Sequence, residues 1–268
     1  MTRISYKNYL YEHPFYSNLG INPKDYILDD NKFNLLGKLR KKNKQIKEHN
    51  LGKYSYALDL NDLIRLHYLI TSRKVTTILE FGVGASTAVF DNALSENKKL
   101  YSKYVSNNLR RANAFECHSV DNQKKWIDIS KQKYKTKNTF YHFSQCRMSM
   151  FNNRICSLYD KLPDICPDFI YLDGPNQDSV LGDINGISTR ALDRLPMAAD
   201  ILCIEHFLLP GTLIVVDGRT ANARFLRVNL QRNWKYSYVQ NFDQHFFELN
   251  EKPLGRLNRQ QVNFSRMQ

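Results

Sequence analysis

The feature that most narrows what this chain can fold into is a repeated pattern: a short apolar run, an acidic residue near its end, a tight turn, then a stretch with helical spacing. Thr76-Thr77-Ile78-Leu79-Glu80-Phe81 meets Gly82-Val83-Gly84 before Ala85–Phe90, and Glu116-Cys117-His118-Ser119-Val120-Asp121 precedes Gln123–Tyr134. Asp168-Phe169-Ile170-Tyr171-Leu172 stops at Asp173-Gly174-Pro175, and Gly211–Val216 stops at Asp217-Gly218 before Ala221–Leu230. Nearly continuous apolar runs of this length read as strands buried on both faces. Strands alternating with helices imply a doubly wound, mostly parallel α/β sheet. Thr139–Phe143 adds a strand, and Tyr236–Gln240 and His245–Leu249 flank the turn Asn241-Phe242-Asp243-Gln244. A parallel crossover needs about a dozen residues, so this last pair closes a seven-stranded sheet as an antiparallel hairpin.

The α/β block covers residues 76–250. Residues 1–75 read as a mainly helical N-terminal extension, and residues 251–268 as a basic tail, with Arg256, Arg259 and Arg266, flexible at its end. Within the extension, Phe33–Leu39 begins a predicted short helix that continues into Arg40-Lys41-Lys42-Asn43-Lys44. Asn61–Ile70 is a stronger prediction, with Leu63, Leu66, His67 and Ile70 on one face and Asn61 as N-cap. Leu192–Leu209 is predicted to be mainly helical, with His206 internal beside Glu205.

Hydrophobic residues make up 42% of the 268, which excludes wholesale disorder. Lys and Arg number 39 against 26 Asp and Glu, a net charge of +13. That excess suits a polyanion such as RNA and equally suits a solvated surface. The basic stretch from Glu96 to Ala114, where Lys98, Lys99, Lys103, Arg110 and Arg111 interleave with Tyr101 and Tyr104, is open to the same two readings. The five cysteines are odd in number and form no C-x-x-C pair, which argues against a disulfide framework or structural zinc and for buried, reduced thiols. No apolar leader opens the chain and no window approaches the ~18 apolar residues of a membrane span, so a cytoplasmic protein is expected.

Ligands of open α/β sheets bind beyond the carboxyl ends of the strands, where strand order reverses. Glu80, Asp121, Asp173 and Asp217 all fall at such ends. Gly82 and Gly84 lie in a strand-to-helix turn that lets backbone approach a ligand, and Ser86 and Thr87 follow at the start of the helix. An acid in the place of Asp121 typically accepts from both hydroxyls of a ribose, which points to an adenosine-bearing ligand.

Glu80-Phe81-Gly82-Val83-Gly84-Ala85-Ser86-Thr87 resembles motif I of the class I S-adenosylmethionine-dependent methyltransferases. Ser119-Val120-Asp121 looks like their ribose-binding acid, and Asp168–Pro175 like their fourth motif. Pro210-Gly211-Thr212 and the closing hairpin are also similar to the family, so the resemblance runs over residues 60–250. It implies the Rossmann-like methyltransferase fold, S-adenosylmethionine as methyl donor, and donor-binding roles for Glu80, Gly82, Gly84, Ser86, Thr87, Asp121 and Asp173. The family's Asn/Asp-Pro-Pro-Tyr motif is missing after the fourth strand, where Asp173-Gly174-Pro175-Asn176 stands instead, which argues against base or glutamine nitrogen as acceptor.

The expected acceptor is therefore a hydroxyl on a sugar, a glycan precursor or another small molecule, with Asp173 and Asp217 as catalytic carboxylates. Paired carboxylates would also suit Mg²⁺, but Gly218 follows Asp217 where the metal-dependent O-methyltransferases carry Asn or Asp, and no metal site is assigned. An RNA-directed methyltransferase and a non-catalytic methyltransferase-like binding module are the alternatives, and a homo-oligomer is left open. Arg219 is expected to pair with Asp217, and the polar segment Asn176–Arg194 to shape a substrate pocket.

Overall fold

The computed structural model describes residues 4–26, 28, 58–191, 193–195 and 197–266. The basic helix predicted from Phe33 lies outside them. Helices α1 (Tyr6–Glu12), α2 (Tyr16–Leu19) and α3 (Leu60–Ser72) precede β1 (Thr77–Phe81) and α4 (Ala85–Asn108). Then come β2 (Glu116–Asp121), α5 (Lys124–Lys133), β3 (Thr139–Phe143), β4 (Cys146–Phe151), β5 (Arg154–Tyr159), β6 (Phe169–Leu172) and α6 (Asp200–Ile204). The chain ends with β7 (Leu213–Asp217), α7 (Thr220–Asn229), β8 (Trp234–Val239), β9 (Gln244–Leu249) and α8 (Gly255–Arg266).

One seven-stranded sheet has the order β3-β2-β1-β6-β7-β9-β8. The strands from β3 through β7 pair in parallel, whereas β9 runs antiparallel to both β7 and β8. Order reverses between β1 and β6, which places the crevice beside the turn at Gly82–Gly84. This is the expected doubly wound sheet with its antiparallel closing strand.

Strand alternation divides the core in two. Ile78, Cys117, Phe169, Tyr171, Leu213 and Val215 face α1–α4 and pack with Tyr6, Phe15, Ile64, Leu66 and Phe90. Leu79, Phe81, Ile170, Leu172, Ile214 and Val216 face the other way, onto Cys146 and Cys156 of the β4–β5 hairpin, Ile201 of α6 and Leu226 of α7. The N-terminal helices thus share the sheet's own core.

Several expectations are corrected. Asp59, not Asn61, caps α3: its Oδ1 accepts from Asn61 N–H at 2.8 Å, and Asn61 is buried. Among the described residues of the predicted helix Leu192–Leu209, only α6 and one 3-10 turn (Glu205–Phe207) form, because Ala199 N–H donates to Ser157 O and ties this stretch to β5. His206 is exposed, while Glu205 is the buried neighbour, accepting from Gln231 N, Arg232 N and Trp234 Nε1. The tail is helical up to Arg266: Asn258 Nδ2 donates to Pro210 O, and Phe264 stacks on Tyr104 at 5.2 Å. The lysines after Glu96 continue α4 without a break. All five cysteines are free, but only Cys117, Cys146 and Cys156 are buried. Among the described residues no helix is long and apolar enough to cross a membrane.

Candidate functional site

The register shows why the strand-end acids differ. Glu80 pairs with Ser119 and Tyr171, and Tyr171 with Val215, so these side chains share one row on the α3–α4 face. Asp121, Asp173 and Asp217 lie two residues farther along their chains and reach the sheet's carboxyl edge on that same face. Glu80 lies one pleat inside. It is fully buried, its Oε1 accepts from Ser86 Oγ at 2.5 Å, and its Oε2 accepts from Thr87 Oγ1 and Ser119 Oγ, both at 2.6 Å. Burial pushes its pKa up to about 7, against the pull of these hydroxyls. Glu80, Ser86 and Thr87 therefore spend their polar atoms on one another. Thr87 Oγ1 also accepts from Gly84 N–H at 3.1 Å, which ties the turn to the first turn of α4.

The turns after β1 and β6 touch backbone to backbone. Gly82 has φ +97°, and a Cβ there would lie 2.9 Å from the carbonyl of Asp173. A Cβ at Gly174 would come within 2.6 Å of Gly82 N. Asp173 N–H donates to Phe81 O at 2.9 Å and so continues the pairing past the strand. Gly84 is different: a Cβ there would meet only Ser86 Oγ, at 4.0 Å, so its open side faces free space.

Asp121 joins the turns after β1 and β2. Its Oδ2 accepts from Val83 N–H at 2.9 Å and its Oδ1 from Gln123 N–H at 2.7 Å, so each oxygen keeps a lone pair. Burial raises its pKa to about 6, and the nearby charge of Asp173 adds to this. Asp173 has a half-exposed side chain (56%) and one ionic partner, Arg219 Nε at 3.5 Å. Arg219 also donates from Nη2 to Pro175 O at 2.9 Å. The expected pairing of Arg219 with Asp217 is thus replaced by a bridge from α7's leading turn to Asp173. Asp217 accepts from Tyr171 Oη at 2.7 Å, and its pKa is raised by burial and by Asp173.

Sequence reading missed the supports of this edge. Arg65 and Asp62 of α3 form an ion pair near Asp217, and Gln244, opposite Asp217 in register, donates to Asp62 at 3.4 Å. Asn122 and Asn176 exchange two hydrogen bonds, each 3.1 Å, and clasp the loop after β2 to the polar segment after β6. The adjacent Asp-Asn in Asp121-Asn122 and the turn residue Asn176 were the available signals; their pairing belongs to the tertiary fold alone.

The strand order is that of the Rossmann-like methyltransferase fold. No protein-family model matches the chain, and no curated protein matches it. Among solved structures, it is similar to the SAH-bound Podospora anserina methyltransferase PaMTH1, with a TM-score of 0.41 and 12% identity, covering 74% of this chain and 80% of that one. It is also similar to the O-methyltransferase TomG from Streptomyces achromogenes, involved in tomaymycin synthesis and solved with SAM, with a TM-score of 0.36 and 12% identity, covering 74% and 82%. Likenesses this distant concern the fold, and the chemistry below rests on the site's own geometry.

Proposed function

We propose that the chain is an S-adenosylmethionine-dependent methyltransferase acting on a hydroxyl of a sugar, glycan precursor or other small molecule. The observation that carries this reading is electrostatic. A chain of net charge +13 gathers Asp121, Asp173 and Asp217 at one sheet edge, where burial raises the pKa values of Asp121 and Asp217 and the charge of Asp173 adds to both. An edge of this kind favours a ligand that brings positive charge and hydroxyl donors. S-adenosylmethionine supplies a sulfonium, an ammonium and a ribose diol, and the residues present fit it. Asp121 keeps acceptor lone pairs for the diol, and Gly84 leaves its side of the turn open.

The bound donor supplies an electrophilic methyl group. Transfer forms a carbon–oxygen bond at the acceptor and breaks the carbon–sulfur bond, leaving a neutral thioether, and the acceptor's proton must go to a base. Asp173 is the candidate base: exposed at the edge and oriented by Arg219. Tyr171 orients Asp217, the second carboxylate, through its hydroxyl. Arg219 and Arg65 offset part of the edge's negative charge.

Calorimetric titration with S-adenosylhomocysteine tests the donor site, and labelled methyl transfer into a small-molecule extract tests the acceptor. Absence of nucleoside binding by a folded chain would sink the reading. Binding with no transfer to any extract would reduce it to a binding module.

A further inference from the structure

Away from the crevice, His13 at the end of α1, His67 of α3 and Glu96 of α4 converge, with one ligand atom from each lying within 4.8 Å of the others. His13 Nδ1 lies 2.7 Å from Glu96 Oε2, and His67 Nε2 lies 3.6 Å from Glu96 Oε1 and 3.0 Å from Asn92 Oδ1. Asn92 and Glu96 are one helical turn apart on α4 and so face the same place. A tetrahedral zinc-type ion with bonds near 2.0–2.1 Å sets its donor atoms about 3.3 Å apart, and the cluster sits close to that spacing.

Proton counting on His67 supplies a second observation. Thr71 Oγ1 lies 3.1 Å from His67 O, the backward bond to the preceding helical turn, which uses its only proton. Tyr9 Oη lies 2.9 Å from Thr71 Oγ1 and therefore donates to it. Tyr9 Oη is also 2.7 Å from His67 Nδ1, and with its proton already used it accepts from Nδ1–H. In that tautomer the Nε2 lone pair faces Asn92 Oδ1 and Glu96 Oε1, an arrangement that a bound cation satisfies. The ring is fully buried, with Phe15 stacked on it at 4.7 Å. An imidazole whose far nitrogen is held by an outer hydrogen bond is the usual form of a metal-ligating histidine.

We propose that His13 Nδ1, His67 Nε2 and the Glu96 carboxylate form a binding site for one divalent transition-metal ion of the zinc type, with Asn92 Oδ1 or water completing the shell. Two imidazoles and one carboxylate suit such an ion better than Mg²⁺ or Ca²⁺, which take oxygen ligands. The site joins the end of α1 to α3 and α4, so bound metal would fasten the N-terminal helices to the sheet core. It stands independently of the methyl-transfer reading.

The test uses the full chain, stripped of metal and titrated with Co²⁺ and then Zn²⁺. Visible ligand-field absorption, bound-metal stoichiometry and the thermal midpoint are read. One equivalent per chain is expected, with tetrahedral Co²⁺ bands that Zn²⁺ abolishes and a midpoint raised by Zn²⁺. His13→Gln and Glu96→Gln change partly exposed side chains and should each weaken binding by about tenfold or more. His206→Gln, an exposed histidine elsewhere, should bind as the parent does. Absence of ligand-field bands at saturating Co²⁺ would overturn the proposal, as would unchanged affinity in folded His13→Gln and Glu96→Gln. If Glu96→Gln does not fold, His13→Gln with the His206→Gln control decides alone.

Discussion

Strand β6 carries an aspartate at each end, and the two have opposite circumstances. At the amino end, Asp168 accepts from Thr76 N–H at 3.0 Å, Thr77 N–H at 2.8 Å and Thr76 Oγ1 at 2.7 Å, with Arg111 3.6 Å away. At the carboxyl end, Asp173 has among the described residues only Arg219 at 3.5 Å, and more than half its side chain meets solvent. Parallel strands explain the difference. Asp168 closes the loops entering β1 and β6 with its side chain, whereas the turns leaving those strands meet through backbone alone, at Gly82 and Gly174, and leave the Asp173 carboxylate with lone pairs to spare. A saturated carboxylate holds structure, and an unsaturated one in a crevice is available to a ligand.

The sharpest way to break this contrast is to remove each acid. Asp173→Asn should lower turnover by about 10²-fold or more, as for loss of a general base, with little change in thermal midpoint. Activity kept near parental would show that Asp173 is not the base. Asp168→Ala should do the reverse, costing about 3 kcal/mol of stability through orphaned donors while S-adenosylhomocysteine still binds. Chemical denaturation together with calorimetry separates the two outcomes. Asp121→Ala should weaken S-adenosylhomocysteine by about 1.5–3 kcal/mol, because a charged acceptor of the diol is lost.

The same logic applies to pH. Glu80 and Asp200 have folded pKa values near 7 and Asp121 near 6, each above its ordinary value. A group raised in this way adds stability below its unfolded pKa and loses it as pH rises through the folded value, so stability should fall between about pH 4 and pH 7. Donor affinity should climb over the upper part of that range as Asp121 ionises. Unfolding and binding measured at matched pH check the opposed slopes, and Glu80→Gln should flatten the stability slope without reversing the binding one. The smallest effect is expected at Gly84→Ala. Its φ of −162° suits any residue and its Cβ would meet nothing closer than 4.0 Å, so stability should change by no more than about 0.5 kcal/mol while donor affinity drops. Gly82→Ala, crowded at 2.9 Å with φ +97°, should instead destabilise the fold.

Legibility in the sequence followed locality. Buried strands ending in Asp121, Asp173 and Asp217 could be read because apolar runs and the turns that stop them are adjacent in sequence. The β4–β5 hairpin escaped notice: its turn is Asn152-Asn153, with φ values of 46° and 60°, and asparagine adopts this left-handed form without the glycine that usually signals it. The tail's helix escaped too, since Phe264 buries against Val105, Leu109 and Phe115 and Val262 lies against Gly211, all far away in sequence. Glu80 could be recognised as a strand-end acid, but nothing local showed that three hydroxyls would enclose it.

The amino-acid pattern alone determined the alternating α/β architecture, the reversed closing strand and the acids at its edge, because strand period, turn chemistry and connection length act over a few residues. Tertiary structure alone decided which acids stay free, that Arg219 holds Asp173 instead of Asp217, and that His13, His67 and Glu96 meet. Those outcomes depend on register across strands and on packing between helices far apart in the chain, and no local spacing encodes them.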